Sequence, residues 1–232
     1  MQILCTNGVK SVLLELIPSF ERARDTKLAV TWGSTHALLK DLESGVGGDV
    51  AILTAEAIDD LIKQGKVKPG SRVDLARSGI GVAVRKGAPK PDVSSAAALR
   101  RALLAAKSIG HTAPAGGGVT AAHIMGVFEK LGIAAEVTPK VKLAAGGPNG
   151  RVSVLVSSGE AEIGLQQVSE LMSNPEVEVI GMLPAELQQI TIYSAGVTTS
   201  AREAAAAKAL ITALTAPSAA PIYKAKGLDP AW

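Results

Sequence analysis

Residues 2–35 read QILCTNGVKSVLLELIPSFERARDTKLAVTWGST, and the spacing of their apolar positions decides the fold. The run at 2–6 has the length and composition of a strand. At 9–24 the apolar residues recur three and four apart, the period of a helix with one buried face. A second strand-like run at 27–32 leads into a helical pattern at 35–43, and a third pair follows at 49–53 and 55–64. Strands alternating with helices pack as right-handed βαβ crossovers, which set the strands parallel. The N-terminal third therefore reads as an α/β lobe.

Beyond it, 71–76 leads into an apolar run at 79–85, and KGAPKP at 86–91 breaks the pattern. Alternation then restarts. Helices are predicted at 96–106, 119–131 and 151–158, with strands at 108–111, 136–141, 161–165 and 177–180 and a short helix near Ser169. Residues 190–197 form a second apolar crossing, followed by helices at 200–215 and 219–226. Two crossings imply a discontinuous first lobe, 1–80 completed by 191–232, with 81–190 as the second lobe. The predicted architecture is two-lobed α/β, each lobe a mainly parallel sheet flanked by helices, with two crossover hinges.

Composition fits this architecture and excludes others. Of 232 residues 47% are apolar and 3% aromatic, which suits helices packed closely on β-branched strands and not an aromatic platform for nucleic acid. The 24 basic and 21 acidic residues are dispersed, so no basic stripe follows a phosphate backbone. The single cysteine, Cys5, lies in an apolar run and reads as an inert strand residue. His36, His111 and His123 are too scattered for a metal site, and neither a metal nor an organic cofactor is expected. No run approaches the ~18 apolar residues that span a bilayer. Met1 is not followed by a signal-peptide pattern, which suggests either a removed signal or a cytoplasmic protein.

In parallel sheets ligands bind outside the carboxyl ends of strands, where loops enter helix N-termini. Four such junctions are rich in glycine and hydroxyl residues: Thr6-Asn7-Gly8, Trp32-Gly33-Ser34-Thr35, PAGGGVT at 114–120 and GGPNGR at 146–151. Each would present free N–H groups at the positive end of a helix dipole, and glycine lets an anion come close to the backbone. None has the Gly-Lys-Ser/Thr ending of a phosphate loop or the Gly-x-Gly-x-x-Gly fingerprint. Two junctions in each lobe suggest an anion held in the cleft between lobes. The candidate ligand-binding residues are Asn7, Gly8, Lys10, Ser34, Thr35, Arg77, Gly117, Gly118, Val119, Thr120, Arg151, Gln166 and Gln167. Lys10 and His36 also read as solvent-facing first-turn residues, Arg151 as a surface cap and His123 as packing.

With these junctions in view, the chain resembles the type 2 periplasmic binding proteins, specifically the molybdate-binding substrate proteins of ABC importers. The resemblance runs from the Asn7-Gly8 loop through WGST at 32–35 and GDVAI at 48–52 to AKGL at 225–228. Its most particular stretches are LARSGIGVAVR at 75–85, IGLQQ at 163–167 and LPAELQ at 183–188. It implies a monomeric, periplasmic protein that captures a small anion and delivers it to an ABC permease, with no nucleic-acid partner. Molybdate-binding members use serines in the first two loops, backbone N–H groups in the second lobe and a tyrosine. Here Gly8 stands at the first-loop serine, Ser34 and Thr35 remain, and Gln166 or Gln167 stands at the tyrosine. Arg77 and Arg151 suit a carboxylate, because guanidinium forks grip carboxylates in a bidentate way. Aconitate isomerase resembles the same branch, so a cofactor-independent polycarboxylate isomerase is the second reading, with Lys10, His36 or His111 as its base; a ligand sensor is the third.

Overall fold

The computed structural model describes residues 1–145 and 151–232, with the side chains of 115–119 left aside. The described chain divides into two compact units, Met1–Ser78 with Thr191–Trp232, and Gly79–Ile190.

In chain order the elements begin with β1 (Gln2–Thr6), α1 (Lys10–Arg24), β2 (Ala29–Gly33), α2 (Thr35–Glu43), β3 (Val50–Thr54), α3 (Ala55–Lys63) and β4 (Val73–Ser78). The Gly79–Ile190 unit follows with β5 (Ile80–Arg85), α4 (Ala96–Ala105), β6 (Ile109–Thr112), α5 (Pro114–Lys130), α6 (Ala134–Val137), β7 (Val141–Ala144), α7 (Val152–Ser158), β8 (Ile163–Gln167), α8 (Val168–Leu171) and β9 (Val177–Met182). The chain returns through β10 (Thr191–Val197), α9 (Ala204–Leu214), α10 (Ala220–Ala225) and β11 (Asp229–Pro230). Among the described residues no single helix is long and apolar enough to cross a membrane.

The first unit's sheet runs β11-β4-β10-β3-β1-β2. β1 pairs parallel with both β2 and β3, as the βα alternation requires, whereas β10 runs antiparallel to β3 and β4. Strand side chains alternate between faces, and the two faces fill different cores. Ile3, Cys5, Val50 and Ile52 meet α1 and α9 on one side, while Leu4, Ala51 and Leu53 meet α2 and α3 on the other. The C-terminal AKGL stretch closes α10. Gly227 takes φ +73°, Leu228 N–H bonds Tyr223 O at 3.0 Å and Gly227 N–H bonds Lys224 O at 3.1 Å, a Schellman ending that needs glycine at the left-handed position.

The second unit's sheet runs β7-β6-β8-β5-β9. β6 is parallel to β7 and β8, and the crossing strand β5 is antiparallel to its neighbours. Gly110 and Gly164 lie side by side in β6 and β8 and form a floor for α7. A Cβ on Gly164 would stand 2.6 Å from Val156 and 3.0 Å from Val152, and one on Gly110 would stand 2.9 Å from Ala161. This close approach accounts for the glycine in IGLQQ. LPAELQ has a separate cause: the Gln188 side chain acts as a strand partner, its Oε1 accepting from Ile80 N–H at 2.8 Å and its Nε2 donating to Ile80 O at 3.0 Å.

Two local expectations are corrected. The strand predicted at 136–141 is a helical turn, α6, followed by a 3-10 turn at Thr138–Lys140, and the strand begins only at Val141. Its apolar residues Ile133 and Val137 serve the core as a helical pair four apart. The triple glycine predicted as a loop is helical. Pro114 starts α5, its fixed φ suiting a first turn, and packing of Ile124, Val127 and Phe128 outweighs the roughly 1 kcal/mol that each interior glycine costs.

Candidate functional site

Strand direction and register place the candidate residues along one edge of each sheet. In the first unit Thr6 lies opposite Gly33, Thr54 opposite Tyr193 and Arg77 opposite Ile192. The carboxyl ends of β1, β2, β3 and β4 therefore share an edge with the start of β10. Asn7, Gly8 and Val9 form a 3-10 turn there that feeds α1. Ser34 caps α2, its hydroxyl accepting from Ala37 N–H at 3.2 Å, which leaves its own proton for a ligand. The Thr35 hydroxyl donates to that of Thr6 at 3.4 Å. Lys10 holds its ammonium 5.1 Å from the Trp32 ring centre, a cation–π contact beside the same two loops.

Arg77 is exposed near the end of β4, three strands away from β1 in the sheet order, or about 14 Å at a typical strand spacing. Its charge helps to keep the Asp74 carboxyl low: burial pushes that group up, but hydrogen bonds from Ser194 and Arg72 and the charges of Arg72 and Arg77 outweigh it. His36 is exposed on α2. Cys5 is fully buried, and burial pushes its thiol well up against a smaller opposing effect of Lys10, so it is not a thiolate nucleophile.

In the second unit the edge carries a connected amide and hydroxyl network. Gln166 Nε2 donates to the Thr112 hydroxyl, and Gln166 Oε1 accepts from Gln167 N–H at 2.9 Å. Gln167 Nε2 donates to the Thr120 hydroxyl at 3.2 Å. Thr120, Gln166 and Gln167 are thereby brought together, with Gln166 engaged at both ends of its amide. Gly117, Gly118 and Val119 lie in the first turns of α5 and directly precede Thr120. Of GGPNGR only Arg151 falls within the described residues, as the N-cap of α7.

His111 is almost fully buried, edge-on to Phe128, and its Nδ1 donates to Thr112 O at 2.8 Å. Burial holds its imidazole below the usual range against the opposing pull of that carbonyl. His123 donates through Nε2 to Leu187 O at 2.7 Å, a packing role. Among the described residues no group of His, Cys, Asp and Glu is arranged to hold a metal ion.

Two groups escaped the sequence reading. Glu170, on α8 just past the end of β8, has its carboxyl pushed up to about 7 by burial, partly offset by the charge of Arg151. An acid three residues after a strand end was the available signal. Tyr193 lies at the start of β10 with its ring end against Gly8. No local pattern marks it, since Gly8 and Tyr193 are far apart in sequence.

Neutral donors with few charges, collected at strand ends, suit a small anion better than a nucleotide or a metal. Comparison with known proteins gives the frame. An aconitate isomerase from a Pseudomonas species is 33% identical over 235 residues, 99% of this chain and 87% of that protein. The Azotobacter vinelandii periplasmic molybdate-binding protein superposes with a TM-score of 0.77 at 19% identity, covering 98% of each chain. A sulfate-binding protein of Mycobacterium tuberculosis gives 0.73 at 16% identity, covering all of this chain and 86% of the other. Those two likenesses establish the two-lobed periplasmic-binding-protein fold. Residues 1–229 match the family model of the bacterial extracellular solute-binding proteins, and the chain belongs to that family.

Proposed function

We propose that this protein captures a small polycarboxylate anion outside the cytoplasm and hands it, as a monomer, to an ABC permease. Its two compact units serve as the two lobes of the receptor. The observation that supports the reading is the set of hydroxyl, amide and N–H donors at the strand ends of each unit, with Lys10 beside the first two loops; Arg77 and Arg151 are assigned to it as the charge partners of the ligand. The named specificities of the similar proteins, aconitate, molybdate and sulfate, are all small anions. A carboxylate is preferred over molybdate because the relative named as an aconitate isomerase is similar along almost this whole chain and because guanidinium groups match planar carboxylates.

A thermal-shift panel tests this. Binding only to the native state adds RT ln(1 + [L]/Kd), about 2.7 kcal/mol at a hundredfold excess over Kd. Citrate and the aconitates are expected to raise Tm more than molybdate or sulfate, and sugars and nucleotides to leave it unmoved. A sugar that shifts the midpoint while every anion fails overturns the reading.

The 33% identity to an aconitate isomerase supports a second reading, in which the bound polycarboxylate is also isomerised. A base removes a proton from a methylene carbon, the double bond shifts by one position, and a proton returns to the former vinyl carbon, so composition is unchanged. Glu170, with its carboxyl near 7, can both take and return a proton close to neutral pH. Proton NMR of trans-aconitate with the protein in D2O checks this. Appearance of the cis isomer with deuterium uptake is the expected result, and an unchanged spectrum with demonstrable binding refutes isomerisation while leaving the receptor reading intact.

A further inference from the structure

The first-loop turn at Asn7–Val9 holds a glycine just past the carboxyl end of β1, and the structure shows what occupies the space where its side chain would stand. A Cβ on Gly8 would stand 2.2 Å from both Tyr193 Cζ and Tyr193 Oη and 2.6 Å from Cε1. Real Cβ atoms do not come so near, so glycine is required by the tyrosine and not by backbone twist. Tyr193 starts β10, two strands from β1 in the sheet order, opposite Thr54. Its ring belongs to the core cluster shared with Cys5, Val9 and Ile52 and is 4% exposed. The phenol oxygen is thus carried by a rigid aromatic lever to the turn that opens α1 at the end of β1.

Resting on the receptor reading above, we propose that Tyr193 is a ligand-contacting, specificity-determining residue. Its phenol hydroxyl replaces, from β10, the hydroxyl that position 8 cannot bear. A phenol accepts and donates at once, so contact with the turn on one side is compatible with a hydrogen bond to an anion on the other. Because the ring is packed in the core, the oxygen is fixed in place before the ligand arrives, and little rotamer freedom is lost on binding.

Calorimetric titration with trans-aconitate and citrate, of the wild type and four variants of the full chain, tests the assignment. Tyr193→Phe keeps the ring and removes the oxygen. It is expected to weaken binding about tenfold or more, while the Tm of the ligand-free protein stays within about 3 °C of wild type, since a hydrogen bond to a charged group exceeds a neutral one. Gly8→Ser drives its Cβ into the ring and is expected to lower Tm and abolish binding. Gly8→Ser with Tyr193→Ala makes room for the loop hydroxyl and is expected to recover measurable affinity relative to Tyr193→Ala alone. Tyr193→Phe binding within twofold of wild type overturns the proposal, as does a lowered ligand-free Tm with unchanged Kd, which assigns the hydroxyl to stability. A wild type that binds none of the anions overturns the receptor reading itself, and the two failures are thereby told apart.

Discussion

Asp49→Ala is expected to destabilise the first unit by about 4 kcal/mol, although Asp49 lies at the opposite end of the sheet from the candidate ligand residues. Its carboxylate is nearly buried and accepts three backbone N–H groups: Gln2 at 2.7 Å, Arg202 at 2.7 Å and Glu203 at 3.0 Å. One side chain thereby ties β1, the start of β3 and the segment entering α9, which come from opposite ends of the chain. Charge-assisted hydrogen bonds are worth roughly 1.5–3 kcal/mol each, and water entering the vacated space recovers part of the loss. For a chain of this size the change corresponds to a fall in Tm of roughly 8–16 °C.

The pH dependence of this tie has a defined sign. Burial pushes the Asp49 carboxyl up, but the N–H groups of Gln2, Glu203 and Arg202 outweigh it, so the group titrates below its ordinary range. A folded-state pKa below the unfolded one gives stability that is complete above the unfolded value, about 3.9, and is lost as pH falls through the folded value. The stability gap between wild type and Asp49→Ala is therefore expected to narrow in acid. Thermal melts at pH 7 and in the acid range measure it, and a gap below about 1 kcal/mol at pH 7 refutes the role.

Arg77→Ala and Arg151→Ala are each expected to weaken polycarboxylate binding by roughly 30-fold, about 2 kcal/mol, the low end of what losing one partner of a desolvated charge pair costs. A surface arginine without a ligand role would change almost nothing. The two differ in their surroundings. Arg77 is exposed, with Asp74 as its acidic neighbour in charge, whereas Arg151 is partly buried and senses Glu170.

Glu170, whose pKa is raised, gains its negative charge as pH rises through about 7 and then competes with the ligand for Arg151. Affinity is expected to be higher at pH 6 than at pH 8 by several-fold in the wild type, and this difference is expected to shrink in Glu170→Gln. The ligand titrates equally in both, so the comparison isolates Glu170. The same raised pKa means that its stabilising effect is complete below the unfolded value and is lost as pH rises through 7. Titrations showing nanomolar molybdate affinity, indifferent to both arginine substitutions, would replace the carboxylate reading with a neutral-donor oxyanion site.

The sequence by itself determined what depends on local pattern. Apolar period separates strands from helices, and Ile3 and Cys5 against Leu4 show how alternation already assigns each side chain to one of two cores. The glycine and proline punctuation at 86–91 marks the end of β5, and Ser34 announces the start of α2. Local pattern misled where packing overrode it: the triple glycine is drawn into α5, and 133–137 turns as a helix because Ile133 and Val137 reach the same core. Only the tertiary structure decided which distant residues share a place. Gly8 is a glycine because Tyr193 occupies its side, Gln188 completes the start of β5 from the far end of its unit, and Asp49 gathers N–H groups from residues 2, 202 and 203. Those contacts follow from strand order, β10 inserted between β3 and β4, and strand order is fixed by burying both sheet faces at once, a condition that no short stretch of sequence contains.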